Sequence, residues 1–198
     1  MRHSGARRAG DPGAIARASA PAEETLTIPA IADDGSLFPI GKLEAHRRGQ
    51  RHLAVSVFVF AGGKLLIQKR AAGKYHCGGL WANTCCTHPH WSESPNDCAH
   101  RRLFEEVGMT LALEPRAVVD YKADVGNGLI ENERVHVFRG DVAEPFVVSG
   151  FNRDEVEEVA WVGQDALRRQ VLDQPHRFTP WLKIYLDRWA EMTLDPAG

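Results

Sequence analysis

Residues Trp81–Met109 read WANTCCTHPHWSESPNDCAHRRLFEEVGM. Within that stretch a thiol and an imidazole, Cys86 and His88, stand two positions apart, so an extended backbone would project both to one side. A helix is predicted next. Ser94 suits its N-cap, Pro95 its first position, and Gly108 the residue just beyond its end. Between them Ala99, Leu103 and Val107 recur every four residues as one buried stripe, and the helix closes on the paired carboxylates Glu105 and Glu106. Thiol, imidazole and carboxylate brought together are the ingredients of metal-assisted acid/base chemistry.

Upstream, HLAVSVFVF at 52–60 alternates around β-branched and aromatic residues, and KLLIQK at 64–69 returns after Ala61-Gly62-Gly63. This pattern predicts an antiparallel hairpin with a glycine-containing loop. Glu24–Ile31 reads as a short strand, followed by the turn residues Asp33, Asp34 and Gly35. Downstream, Ala117–Lys122 and Glu131–Asp141 read as strands around the Gly-Asn-Gly turn at 126–128, while Asp165–Asp173 and Trp181–Met192 have helical periodicity. Strands and helices mix without regular βαβ alternation, which predicts an α+β fold.

The chain has 198 residues, 43% of them apolar, and a net charge of -2. That is enough for one well-packed domain, expected over residues 25–198, and too little charge for a general attraction to nucleic acid. The longest strongly apolar stretch, Leu53–Ala61, is too short to span a bilayer. The N-terminal tail, residues 1–24, begins rich in Arg, Ala and Gly and lacks the apolar core of a secretory signal; it reads as a disordered extension, and a cytoplasmic setting is expected. The cysteines at 77, 85, 86 and 98 fit free thiols in a reducing compartment, with a strained vicinal Cys85–Cys86 disulfide as the alternative. A monomer is the default.

Candidate ligands stand out in ENERVHVF, where Glu131 and Glu133 share one strand face. Two like charges so placed repel unless a cation offsets them. His46, His52 and His88 add nitrogen donors, and imidazoles with carboxylates suit Zn, Mn or Fe better than Ca. Taken singly, each histidine fits a surface or capped position better than a ligand's, and His3, His76, His90, His100, His136 and His176 show no comparable setting. Cys86 is the candidate reactive thiol, with an ordinary pKa of roughly 8.5 that nearby positive charge would lower. Lys42, Arg70, Lys74 and Arg102 form a dispersed basic set able to neutralise a phosphate group, and Glu106 can hold a hard cation such as Mg²⁺. Trp161 and Tyr121 lie in apolar strand-like contexts; core packing explains both, unless they line a pocket where an aromatic face can stabilise a transient cation.

The Thr87–Met109 frame resembles the Nudix signature: Gly, five residues, Glu, seven residues, then Arg-Glu-(apolar)-x-Glu-Glu-x-Gly-(apolar). Here Thr87 replaces the first Gly and Arg102 the first helical Glu, while Glu93, Arg101, Glu105, Glu106 and Gly108 stay in register. A guanidinium cannot ligate the metal that activates water, so hydrolysis of a diphosphate becomes the weaker expectation and phosphate gripping the stronger. His46 and His52 before SVFVF, KYHCGGLWANTCCTHPH, RRLFEEVG, ENERVHVF and RFTPWL together are similar to type I isopentenyl-diphosphate isomerases, over roughly Ile31–Met192.

That resemblance implies a Nudix-like fold and interconversion of isopentenyl and dimethylallyl diphosphate. It implies Cys86 and Glu133 as the acid/base pair, Tyr121 assisting, and Trp161 shielding a carbocation-like intermediate. It further implies His46, His52, His88, Glu131 and Glu133 around Mn²⁺, Zn²⁺ or Mg²⁺. Glu106 would hold a Mg²⁺ bridged to the diphosphate, and Lys42, Arg70, Lys74 and Arg102 would bind the phosphates. The rivals are a Nudix hydrolase of another diphosphate and a catalytically silent metal-binding module.

Overall fold

The computed structural model describes residues 26–194. The expected extension over 1–24 lies outside the described residues. In chain order the elements are β1 (Thr27–Ile31), β2 (Leu37–Gly41), α1 (Lys42–Arg48), β3 (His52–Ala61), β4 (Lys64–Arg70), β5 (Trp81–Ala82) and β6 (Cys85–Thr87), followed by α2 (Pro95–Val107), β7 (Glu114–Gly126), β8 (Leu129–Val142), β9 (Val156–Gly163), α3 (Gln164–Asp173) and α4 (Pro180–Asp187). The mixture is α+β, as expected.

The β3–β4 hairpin forms, but it pairs only at its tip, Phe60 with Leu65 and Ala61 with Lys64. Beyond the tip each strand takes other partners. β3 runs parallel to β8 over ten residue pairs, from His52–Glu133 to Ala61–Val142, and antiparallel to β6 through Ser56–Cys86. β4 instead pairs antiparallel with β9 and with the short β5. The strands around the Gly-Asn-Gly turn are longer than predicted and place Tyr121 opposite Glu133.

Helix α2 has the expected ends. Ser94 accepts from the Asp97 amide, Pro95 opens the helix, and Gly108 terminates it at φ 74°. A Cβ at Gly108 would stand 2.6 Å from the Gly150 carbonyl oxygen, so the position needs glycine both for its backbone conformation and for this close approach. Ala99, Leu103 and Val107 are buried with Val55, Val57 and Val59, forming a core on one side of the sheet. On the other side, Ala54, Phe58, Val135 and Val137 pack with Leu167 of α3 and with Trp181, Leu182 and Tyr185 of α4. Successive residues of β3 thus serve opposite cores.

Helix α1 has no apolar stripe to announce it: its buried residues are Lys42, Ala45 and His46. It starts after extended Gly41 and ends at left-handed Gly49, whose amide reaches the Ala45 and His46 carbonyls. In the fold it is a platform that delivers Lys42 and His46 to one spot.

Candidate active site

Both sides of β3 contribute to one pocket, because β6 and β8 flank it. The parallel register sets His52 beside Glu133, and the antiparallel register sets Cys86 beside Ser56. Period-two alternation sends Cys86 and His88 from β6 and its extension, and Glu131 and Glu133 from β8, toward the same face. Tyr121 joins from β7, Lys42 from α1, Arg70 from the end of β4 and Trp181 from α4; with His76 and Thr87 these residues line the pocket.

His46, His52, His88 and Glu133 are all buried and each offers one ligand atom within 4.8 Å of the others. The Nε2 atoms of His52 and His88 lie 3.1 Å apart, and His88 Nε2 lies 2.9 Å from Glu133 Oε1. Backbone carbonyls hold the other ring nitrogens of two of them: Nδ1 of His46 against Lys42 and Nδ1 of His52 against Gln50, each at 2.7 Å. Those Nδ1 atoms therefore carry the hydrogen, leaving the Nε2 lone pairs free to ligate. His46 Nε2 is buried with no hydrogen-bond partner. An orphan nitrogen among imidazoles and a carboxylate fits a divalent metal ion.

Burial pushes the His46 pKa down to about 4 and that of His88 down to about 3, so both rings are neutral and can act as ligands. The Tyr121 hydroxyl lies 2.8 Å from Oε2 of Glu131 and 2.8 Å from Oε2 of Glu133. A single hydroxyl hydrogen cannot serve two ionised carboxylates. Burial and the neighbouring Glu133 push Glu131 well above the usual carboxylate range. Burial also opposes the charge on Glu133, but the imidazoles of His52 and His88 hold it well below that range. Glu131 therefore keeps a proton while Glu133 is ionised, and the Tyr121 hydroxyl bridges the two.

Burial raises the Cys86 thiol well above its ordinary value, and the Glu133 and Glu106 carboxylates add to that. Its sulfur donates to Asn83 Oδ1 at 2.8 Å and lies 3.3 Å from the Ser56 hydroxyl, itself 2.8 Å from Tyr185 Oη. All four cysteines are free. Cys85 and Cys86 point to opposite cores, as neighbours in a strand must, so the vicinal disulfide does not form.

A second network adjoins the pocket. Glu106 accepts from Arg102 at 2.7 Å and from Gln68 at 2.8 Å, and Gln68 also donates to the Thr84 carbonyl. Arg102 reaches Glu105 at 3.1 Å and Glu155 at 3.3 Å, and Lys74 pairs with the same Glu155 carboxylate. Of the basic set, Lys42 and Arg70 stand in the pocket wall, whereas Lys74 and Arg102 lie in this neighbouring network.

Residues 50–182 match the NUDIX domain family. The chain is 57% identical to the isopentenyl-diphosphate Delta-isomerase of Dinoroseobacter shibae over 160 residues, covering 80% of this chain and 90% of that protein. It is 54% identical to that of Ruegeria pomeroyi, covering 86% and 94%. The chain belongs to the isopentenyl-diphosphate Delta-isomerase family of NUDIX-domain proteins. The fold is shared more widely: a Deinococcus radiodurans crystal structure superposes with a TM-score of 0.66 at 12% identity, covering 82% of this chain and 98% of its own. A MutT NUDIX hydrolase from Burkholderia pseudomallei superposes with a TM-score of 0.52 at 24% identity, covering 70% and 97%.

Against the expectations for this isomerase-family chain, one tryptophan takes the place of another and one histidine is added. Trp161 does not reach the pocket. In β9 it pairs with Leu66 and faces the α2 side of the sheet, packing on Phe146 and donating from Nε1 to the Phe146 carbonyl at 2.9 Å. Its neighbours Ala160 and Val162 face the other core, so strand alternation excludes Trp161 from the site. Trp181, from RFTPWL, is the tryptophan in the pocket wall, with the Arg70 guanidinium 5.2 Å from its ring. His76, set aside on sequence grounds, is the other correction. It is 5% exposed, lines the pocket, and forms a second donor group with His46 and Glu131. The only signal for Trp181 was its place in a shared motif, and for His76 there was none beyond its closeness to the Cys-Cys segment.

Proposed function

We propose that this protein interconverts isopentenyl diphosphate and dimethylallyl diphosphate by moving one proton onto and another off the allylic unit. The observation that carries this reading is the single pocket in which the Cys86 thiol and the Glu133 carboxylate approach from the two sides of β3. One arrives loaded with a proton and the other without. A reversible double-bond shift needs that combination: the loaded group protonates one end of the three-carbon unit, the empty group removes a proton from the other, and in reverse they exchange roles. Tyr121, bonded to both glutamates, passes protons between them. Trp181 offers its face to the transient tertiary cation and excludes water from it.

The diphosphate is assigned to Lys42, Arg70, Lys74 and Arg102. Arg102 stands where a Nudix hydrolase has a metal-binding Glu, which supports gripping over cleavage. His46, His52, His88, Glu131 and Glu133 would hold Mn²⁺, Zn²⁺ or Mg²⁺, and Glu106 a Mg²⁺ bridged to the diphosphate. Such ions supply fixed positive charge beside the carboxylates and the phosphates. Free thiols at all four cysteines support a cytoplasmic setting, and no described helix is long and apolar enough to cross a membrane.

The test is incubation of the purified protein with isopentenyl diphosphate and Mg²⁺, following acid-labile allylic product and released phosphate separately. Allylic product without phosphate is expected. Phosphate release, or no product, overturns the reading.

A further inference from the structure

We propose that His76 is a sixth protein ligand that closes the coordination sphere of the ion held by His46, His52, His88, Glu131 and Glu133. The inference rests on the reading that those five residues bind a metal.

His76 sits in the loop after β4. Its ring stacks on His46 with centroids 5.6 Å apart and an interplanar angle of 27°, and meets Trp181 edge-on at 6.0 Å. Its Nε2 lies 4.0 Å from Glu131 Oε1, while Nδ1 is buried with no hydrogen-bond partner. Packing alone gives no reason for a polar ring here, since a phenyl group would stack equally well and leave no orphan nitrogen.

The donors form two overlapping groups, His46 with His52, His88 and Glu133, and His46 with His76 and Glu131; within each group the ligand atoms lie within 4.8 Å of one another. The groups meet at His46. Its Nδ1 is committed to the Lys42 carbonyl at 2.7 Å, so only the Nε2 lone pair remains, and one lone pair serves one ion. Sharing that lone pair ties both groups to one ion, which on binding draws His76 and Glu131 closer to His52, His88 and Glu133 than the two separate groups stand here. The glutamates are oriented to match: each ties Oε2 to Tyr121, leaving Oε1 of Glu133 toward His88 and Oε1 of Glu131 toward His76. Drawn onto that ion, four imidazole nitrogens and two carboxylate oxygens would make a six-donor shell.

A shell filled by protein has no position for water. Metal sites that activate water keep one position open, whereas closed sites act through structure and charge. With His76 in place the ion cannot generate hydroxide next to a bound diphosphate, and its role is to fix the charge of Glu133. The sixth ligand thus works in the same direction as Arg102, against hydrolysis.

The experiment loads the protein with one equivalent of Mn²⁺, without diphosphate, and measures solvent-proton relaxation and Mn²⁺ affinity. The wild-type protein should show no rapidly exchanging inner-sphere water, and its Mn²⁺ EPR lines should not broaden in ¹⁷O-enriched water. His76→Phe, which preserves stacking on His46 and Trp181, should admit a water, raise the relaxivity, and weaken Mn²⁺ binding by about 10-fold or more. Broadening in the wild-type protein, or relaxivity and affinity unchanged in His76→Phe, overturns the proposal. His46→Ala separates the two readings: if it leaves Mn²⁺ affinity intact, the five-ligand site itself is wrong, and if it abolishes binding while His76→Phe changes nothing, only the sixth ligand is.

Discussion

Cys86 shows how burial outweighs attraction at a single side chain. The sequence places basic residues around it and so predicts an acidified thiol, but in the fold its charged neighbours include the carboxylates of Glu133 and Glu106, and loss of solvent is the larger effect. The thiol keeps its proton and donates it to Asn83 Oδ1 in a hydrogen bond. Replacing Cys86 with Ala should leave the circular dichroism spectrum unchanged and lower kcat by about 10²-fold or more, the scale of a lost acid/base group; substantial residual turnover removes Cys86 from the mechanism. The two tryptophans give a paired test. Trp181→Leu should lower kcat strongly, whereas Trp161→Leu, which loses packing on Phe146, should lower thermal stability and spare kcat in the folded enzyme. Equal losses of kcat would mean that the strand face assigned to Trp161 is wrong.

Helix α2 is the element whose ends the amino-acid order specifies most completely, since cap, opening proline and terminal glycine act locally. Ser94→Ala should cost about 1 kcal/mol through the lost bond to the Asp97 amide. Gly108→Ala should cost more than about 1 kcal/mol, because it meets both a positive φ and the Gly150 carbonyl. At about 2–4 °C per kcal/mol for a chain of this size, both shifts are measurable by thermal melting; a larger loss from Ser94→Ala than from Gly108→Ala contradicts the close approach. Helix α1 is the opposite case. Its seven residues bury Lys42, Ala45 and His46 instead of an apolar stripe, so no hydrophobic period marks it. The β3–β4 hairpin lies between: its turn is local and legible, but the separation of its strands is imposed by β8, β6 and β9.

At the scale of the molecule the site ties stability to pH. In the metal-free protein burial holds His46 down to about 4, His88 to about 3 and His76 to about 2, against about 6.5 in the unfolded chain. As pH falls below about 6.5 the unfolded state takes up protons that the folded state refuses, so stability is full above that pH and is lost progressively toward 4. The raised carboxyl of Glu131 opposes this, because it stays protonated in the fold where the unfolded chain ionises, but one carboxyl faces three imidazoles. Denaturant titration of metal-free protein from pH 7.5 to 4.5 should therefore show a net fall, up to about 1.4 kcal/mol per pH unit for each imidazole; a flat profile would contradict their burial as neutral rings. Local order along the chain was sufficient for the α+β class, for α2, for the central strands, and for the spacings that bring Cys86 with His88 and Glu131 with Glu133, because strand and helix periods act over a few residues. Only the tertiary structure decided which of nine histidines and five tryptophans meet those groups. That choice depends on the parallel register of β3 with β8 and on the docking of α1 and α4, where residues far apart in sequence become neighbours by sharing a buried face.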